Sequence, residues 1–333
     1  MPGVQVKVSR KTWLGALRGA VAAALVAWLI LSGRLDFKTL AGVQLGWAFL
    51  GAVVSKLIGC LVPLIRWHYL VRAQHLELRL QTAVHIGLIG YFLAIIMPAM
   101  LGLDGARLVY GARRNVGRKE AVLSTILMDR LIGLVALILL AVVFGSAFLL
   151  HSSNMAMAEP VLYLAGVLAM GAAVAAFLAS RHARQVLAAL SWKPFQRLMA
   201  AVAEYRRHEG VLAAALLLSF LGHLSGIACA YFAFLMLNLT PPLPTVCAII
   251  PLVNLSRGIP LTPMGLGVVD SVSETLFSAV GIDGGVEVSL VLRMVALLVF
   301  AGCGAAYLFP VARVGRTSLR DLRLSARPEA TCD

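Results

Sequence analysis

Charge is what this sequence has least of. Asp, Glu, Lys and Arg together make up only 13% of its 333 residues, against about a quarter in soluble domains. That scarcity, with 60% apolar residues, excludes an ordinary water-soluble enzyme domain. The recurrent chemical motifs are missing as well. Five cysteines (Cys60, Cys229, Cys247, Cys303, Cys332) lack CxxC spacing, which excludes the usual zinc and redox frameworks and leaves small apolar fillers. The seven histidines are dispersed and form no HExxH. No P-loop is present, so the chain does not hydrolyse ATP. No DDxxD-type cluster offers Mg²⁺ to a diphosphate. The sequence therefore implies no cofactor and no catalytic centre. Strand-like alternation is not sustained anywhere, which argues against a closed barrel.

What the chain does have is long apolar runs, near 13–32, 43–64, 83–97, 121–149, 161–179, 211–237, 245–256, 268–281 and 288–310. About 20 apolar residues in a helix cross roughly 30 Å of hydrocarbon. The first run has no small-residue cleavage site and reads as a retained helix. The net charge of +14 suggests topology and anionic lipid headgroups rather than nucleic acid, because Lys and Arg gather between the runs.

Those basic residues set the topology. Lys7, Arg10, Lys11 and Arg18 place the N-terminus inside. A second cytoplasmic cluster is Arg66, Arg72 and Arg79; a third is Arg113, Arg114, Arg118 and Lys119. Both clusters lie inside only if the chain between them turns back. Pro98, Gly102 and Gly105 interrupt that stretch where a turn is needed. A re-entrant hairpin over about 83–111 follows. The stretch 245–281 is interrupted likewise by Pro260, Pro263, Gly265 and Gly267. It must begin and end outside, so a second hairpin enters from the opposite face. The resulting fold class is all-α: six full crossings plus two opposed re-entrant hairpins, both termini inside, with eight spans as the rival count. A single transmembrane domain covers 1–312, with a cytoplasmic interfacial segment at 181–209 and a basic tail at 313–333. In the interfacial segment Trp192, Phe195, Leu198, Met199 and Val202 share one face. In the tail Arg313, Arg316, Arg320, Arg323 and Arg327 fall on one helical stripe.

Ionisable residues at membrane depth cost about 2.5–3.5 kcal/mol each on insertion scales and are functional candidates by default. They are Lys56, Asp104, Arg107, Asp129, Arg130, Arg257, Asp270, Glu274 and Arg293. Asp104 and Arg107, at i and i+3, either pair with each other or belong to a site. Asp129 and Arg130 point in different directions, so at least one needs a partner on another element. Arg257, Arg107, Arg293 and Lys56 are candidates for an anionic headgroup, since a guanidinium holds phosphate bidentately. Asp104, Asp129, Arg130, Asp270 and Glu274 are candidates for charge pairing or proton coupling. Opposed broken helices are how inverted-repeat transporters build a midplane site, although no sequence repeat accompanies the pattern here.

Pro98 through Arg107, the run starting Asp129-Arg130, and Pro260 through Asp270 also follow one another at family-like intervals. In this the chain resembles the flippase-like transmembrane domain of the lysylphosphatidylglycerol synthase family over nearly its whole length. Leu103, Met264 and Asp270 depart from the family's usual Gly, Gly and Glu. The chain ends soon after its last helix, without the family's soluble aminoacyl-transfer domain. The resemblance implies a multi-pass bacterial cell-membrane protein that moves or handles an anionic phospholipid or polyprenyl-phosphate carrier for envelope assembly. Membrane lipids are its expected partners, beside a homo-oligomer or a lipid-biosynthesis enzyme. A non-catalytic membrane partner of a lipid-modifying enzyme is one alternative, and an integral-membrane lipid or glycosyl transferase another.

Overall fold

A computed structural model describes residues 42–95, 101–151, 200–201, 203–257 and 265–324. The runs predicted at 13–32 and 161–179, the apolar face of the interfacial segment, and Pro98, Pro260 and Pro263 lie outside them. Every regular element among the described residues is helical. In order these are α1 (Trp47–Ala73), α2 (Leu80–Leu93), α3 (Leu101–Arg114), α4 (Lys119–His151), α5 (Glu209–Met236), α6 (Leu243–Ser256), α7 (Val268–Ser278) and α8 (Gly285–Leu324), with a 3₁₀ turn at Tyr205–Arg207 before α5.

Helices α1, α4 and α5, and α8 over Gly285–Ala306, are long and apolar enough to cross a membrane. Their outer faces carry Leu50, Val54, Leu61, Leu131, Val143, Leu217, Leu221 and Leu298 in exposed positions. Apolar faces spread over successive turns of several helices suit lipid, not water. The chain is a polytopic membrane protein.

Helices α2 and α6 have 14 residues each, about 21 Å at 1.5 Å per residue, too short to span alone. Each is followed by a second short helix, as the Pro/Gly breaks predict. In the first pair the two arms fold back on one another. A Cβ on Gly102 would lie 2.6 Å from the Ala94 backbone nitrogen, and one on Gly90 would lie 2.7 Å from the Leu103 Cα. Moving away from the break therefore pairs rising numbers on α3 with falling numbers on α2, an antiparallel hairpin. Gly102 is what lets the arms meet.

The order long, short, short, long thus occurs twice, in α1–α4 and in α5–α8. Packing follows the same rule: α4 lies against α6 as α8 lies against α2, and α1 packs along α5. A Cβ on Gly51 would meet the Phe232 ring, and one on Gly59 would meet Ser225. The leading helices of the two halves are therefore antiparallel. Ala52, Ala230 and Ala233 are fully buried along this contact, where small side chains let backbones approach closely. The main core follows from it, with Phe234 and Phe277 edge-to-face at 4.9 Å.

Two expectations need revision. Arg66 and Arg72 do not lie in a loop with Arg79. Helix α1 continues to Ala73, and Arg66 is a buried residue within it. The reason is packing, because Cys60, Leu64, Trp67 and Val71 keep an apolar face buried past residue 64. The last residues of the 181–209 segment also do more than rest on an interface. Tyr205 is buried among Leu70, Ala73 and Ala215, and its hydroxyl donates to the Leu70 carbonyl at 2.9 Å. Burial pushes its phenol pKa up. At the other end of the chain, the α8 backbone runs on as helix to Leu324; Arg327, the last residue of the expected basic stripe, lies outside the described residues.

Candidate functional site

The intramembrane charges sort into two groups, one at each helix pair. In the first, Asp129 on α4 is the hub and is 2% exposed. Its Oδ1 accepts from Arg66 Nε at 2.6 Å and its Oδ2 from Arg107 Nη1 at 2.8 Å. Arg66 also donates to Ser219 Oγ on α5 at 2.7 Å, and Arg107 to the Pro63 carbonyl at 3.2 Å. The Arg107 guanidinium lies 4.9 Å from the Trp67 ring centre, a desolvated cation–π contact of about 2 kcal/mol. Trp67 is fixed in turn by donating its indole N–H to Thr125. Beside this hub, Arg130 donates to Asp104 from both Nε and Nη2, at 2.9 and 2.7 Å. Asp104 and Arg107 approach to only 3.9 Å.

Successive residues of a helix point about 100° apart, and Asp129 and Arg130 accordingly serve different partners. Arg107, a headgroup candidate from sequence, has no exposed side-chain surface and is committed to Asp129, Pro63 and Trp67. The cluster holds Arg66, Arg107 and Arg130 against Asp104 and Asp129, and it ties α1, α3, α4 and α5 together. Sequence reasoning missed Arg66, Ser219, Trp67 and Thr125 as members.

The second group differs in its balance. Asp270, in the first turn of α7, is buried and accepts from the Gly267 backbone N–H, Ser289 Oγ and Arg293 Nη2. Gly267 sits at φ +78°, a conformation glycine adopts without strain. That turn lets its N–H point at the Asp270 carboxylate, the acidic half of a capping box. Arg293 on α8 is 10% exposed in its side chain. Its Nε and Nη1 are buried without a protein partner.

Arg257 ends α6 and is exposed. It lies within electrostatic range of Arg293, Asp270 and Lys56. The ammonium of Lys56 on α1 is 5.3 Å from the Phe300 ring centre. Among the described residues no carboxylate pairs with Lys56 or Arg257. Lys56 on α1, Arg257 at the end of α6 and Arg293 on α8 therefore form a chain of neighbouring cations, and the carboxylate of Asp270 beside Arg257 and Arg293 already accepts three hydrogen bonds.

Glu274 does not join these cations. It lies against the start of α8, accepting from the Val286 N–H at 3.2 Å and from Ser278 Oγ. Of the hinge candidates, Gly102 is a close-approach site, Gly105 has open space around it, and Gly265 and Gly267 adopt positive φ. A cleft of about 780 Å³ opens away from the cluster, beside the α1–α2 turn, lined by His68, Arg72, Glu77, Arg79 and Arg114 among others.

Asp104–Arg130 and Asp270–Arg293 are the same device in the two halves. Each joins an acid in the first turn of the second short helix to an arginine on the following long helix. The settings differ: the first lies beside the Arg66–Asp129–Arg107 network, where Arg107 Nε and Asp104 Oδ1 stay buried without a hydrogen-bond partner among the described residues, and the second lies beside a larger excess of positive charge.

Residues 15–304 match the family profile described as the lysylphosphatidylglycerol synthase TM region. Comparison with curated proteins and with solved structures finds no match.

Proposed function

The chain belongs to the lysylphosphatidylglycerol synthase TM region family, and from that premise we propose that it moves an anionic lipid between the leaflets of a bacterial cell membrane, with the Lys56–Arg257–Arg293 cluster as headgroup site. The observation that carries this reading is the pair of unpartnered nitrogens on Arg293. Two separate N–H donors on one guanidinium in a low-dielectric setting can each take an anionic oxygen, and Arg257 lies within electrostatic range of the same guanidinium. An excess of positive charge costs energy at membrane depth unless an anion offsets it.

On this reading the two short-helix pairs are re-entrant hairpins entering from opposite faces. The antiparallel α1–α5 contact supports two inverted halves, an arrangement that places a substrate site at the repeat interface. The substrate class is an anionic phospholipid or a polyprenyl phosphate. The Arg66–Arg107–Asp129 network is the frame that the moving parts work against, and Asp270 supplies the exchangeable partner of Arg293 when no headgroup is present. The protein acts as a transporter and not as an enzyme.

The test is reconstitution of the purified protein into liposomes carrying fluorescent lipid in one leaflet. Faster leaflet exchange than in empty vesicles, for anionic and not zwitterionic probes, is the expected result. Exchange no faster than in empty vesicles for every lipid class would favour a membrane partner of a lipid-modifying enzyme. Incorporation of label from a sugar or aminoacyl donor would favour a transferase.

A further inference from the structure

We propose that His75, Glu204 and His208 form a binding site for a divalent transition cation of the Zn²⁺ class. One ligand atom from each residue lies within 4.8 Å of the other two. His75 lies in the turn after α1, whereas Glu204 and His208 bracket the 3₁₀ turn that leads into α5. The dispersed histidines of the sequence give no hint of this, because the site exists only where the two leading helices meet.

Several features point to a ligand. His75 is held at φ +51°, a left-handed conformation uncommon outside glycine and retained where surroundings impose it. Those surroundings are visible. Arg118, from the α3–α4 connection, donates to the carbonyls of Gln74 and His75 at 2.8 and 2.9 Å. Gln74 donates to the Ala201 carbonyl. The two imidazoles stand edge-to-face with centres 5.9 Å apart, and His208 Nε2 is buried without a protein partner. Among the described residues Glu204 makes one loose contact, with Arg207 at 3.9 Å, and that arginine is largely exposed.

Two imidazoles and one carboxylate are a donor set for Zn²⁺ and its neighbours, not for Ca²⁺ or Mg²⁺. Tetrahedral ligands at about 2.0–2.1 Å stand about 3.4 Å from one another, so side-chain adjustments of an ångström or so complete the shell. Three protein ligands leave the fourth position to water. Such an ion ties the turn after α1 to the entry of α5, while Arg118 joins the α3–α4 connection to the same point. It therefore fixes how the two halves meet at that end of the bundle.

The test uses the full chain without a histidine tag, in detergent, stripped with a chelator, exchanged into chelator-free buffer and titrated with Zn²⁺. Co²⁺ absorption serves as the coordination readout. One ion per chain, with a tetrahedral Co²⁺ spectrum, is expected for the wild type. Loss of an outer-shell partner alone weakens metal sites about 10–100-fold, so His208→Gln and Glu204→Gln are expected to weaken binding at least that much. Metal-free melting of these variants should match the metal-free wild type. His75→Asn, which tolerates positive φ, gives a third reading if either of the others fails to fold. A wild type that takes up no Zn²⁺, or variants that bind it as the wild type does, would overturn the proposal.

Discussion

Arg293 gives one guanidinium nitrogen to Asp270 at 2.9 Å and keeps two others, Nε and Nη1, buried and unengaged. Replacing it by lysine preserves the charge and allows a single bond to Asp270 but removes the two further N–H donors. Arg293→Lys is expected to lower anionic-lipid exchange in liposomes at least ten-fold while melting changes little. Exchange at the wild-type rate would show that the extra guanidinium donors are not used.

The first cluster predicts a stability effect. Asp129→Asn leaves Arg66 and Arg107 buried without their shared carboxylate, and breaking a buried pair costs about 3–5 kcal/mol. A large fall in apparent melting temperature is expected in detergent, with Arg66→Met in the Asn background recovering part of it. An unchanged melting curve for Asp129→Asn would contradict the role of Asp129 as hub.

Asp104→Asn should be much milder. Asp104 pairs closely with one arginine, the two side chains being 25% and 36% exposed, whereas Asp129 holds two arginines that are almost fully buried. Melting should shift by a few degrees at most. A loss equal to that of Asp129→Asn would mean that the two pairs act as one network.

The first hairpin offers a matched pair of glycines. Gly102→Ala puts a methyl group 2.6 Å from the Ala94 backbone nitrogen, so the arms must separate and stability and exchange should both fall. Gly105→Ala, three residues along the same helix, meets nothing within 4 Å. It should be neutral or stabilising by up to about 1 kcal/mol from helix propensity. Thermal melting of the two single variants separates close packing from a general need for flexibility at this break.

How far the sequence could be read depended on the range of the interaction. Membrane class, helical content and the two interruptions were legible, because apolar run length and Pro/Gly breaks are local signals. So was the need of Asp129 or Arg130 for distant partners, since neighbours on a helix cannot face the same way. The partners themselves were not legible. Arg66 pairs across 63 residues, and the apparent loop cluster of Arg66 and Arg72 concealed a helix that runs on to Ala73. The correspondence of the two halves was hidden for the same reason. It resides in which helices pack together and in where each acid–arginine pair falls, and no aligned run of residues accompanies it.

The most direct test of a headgroup site is the lipid that the protein retains. Native mass spectrometry of the full chain, released from mixed detergent and lipid micelles, should show preferential retention of anionic over zwitterionic phospholipid. The preference should be lost when Lys56 and Arg257 are both changed to glutamine. An unchanged preference in a double variant that melts like the wild type would contradict the account.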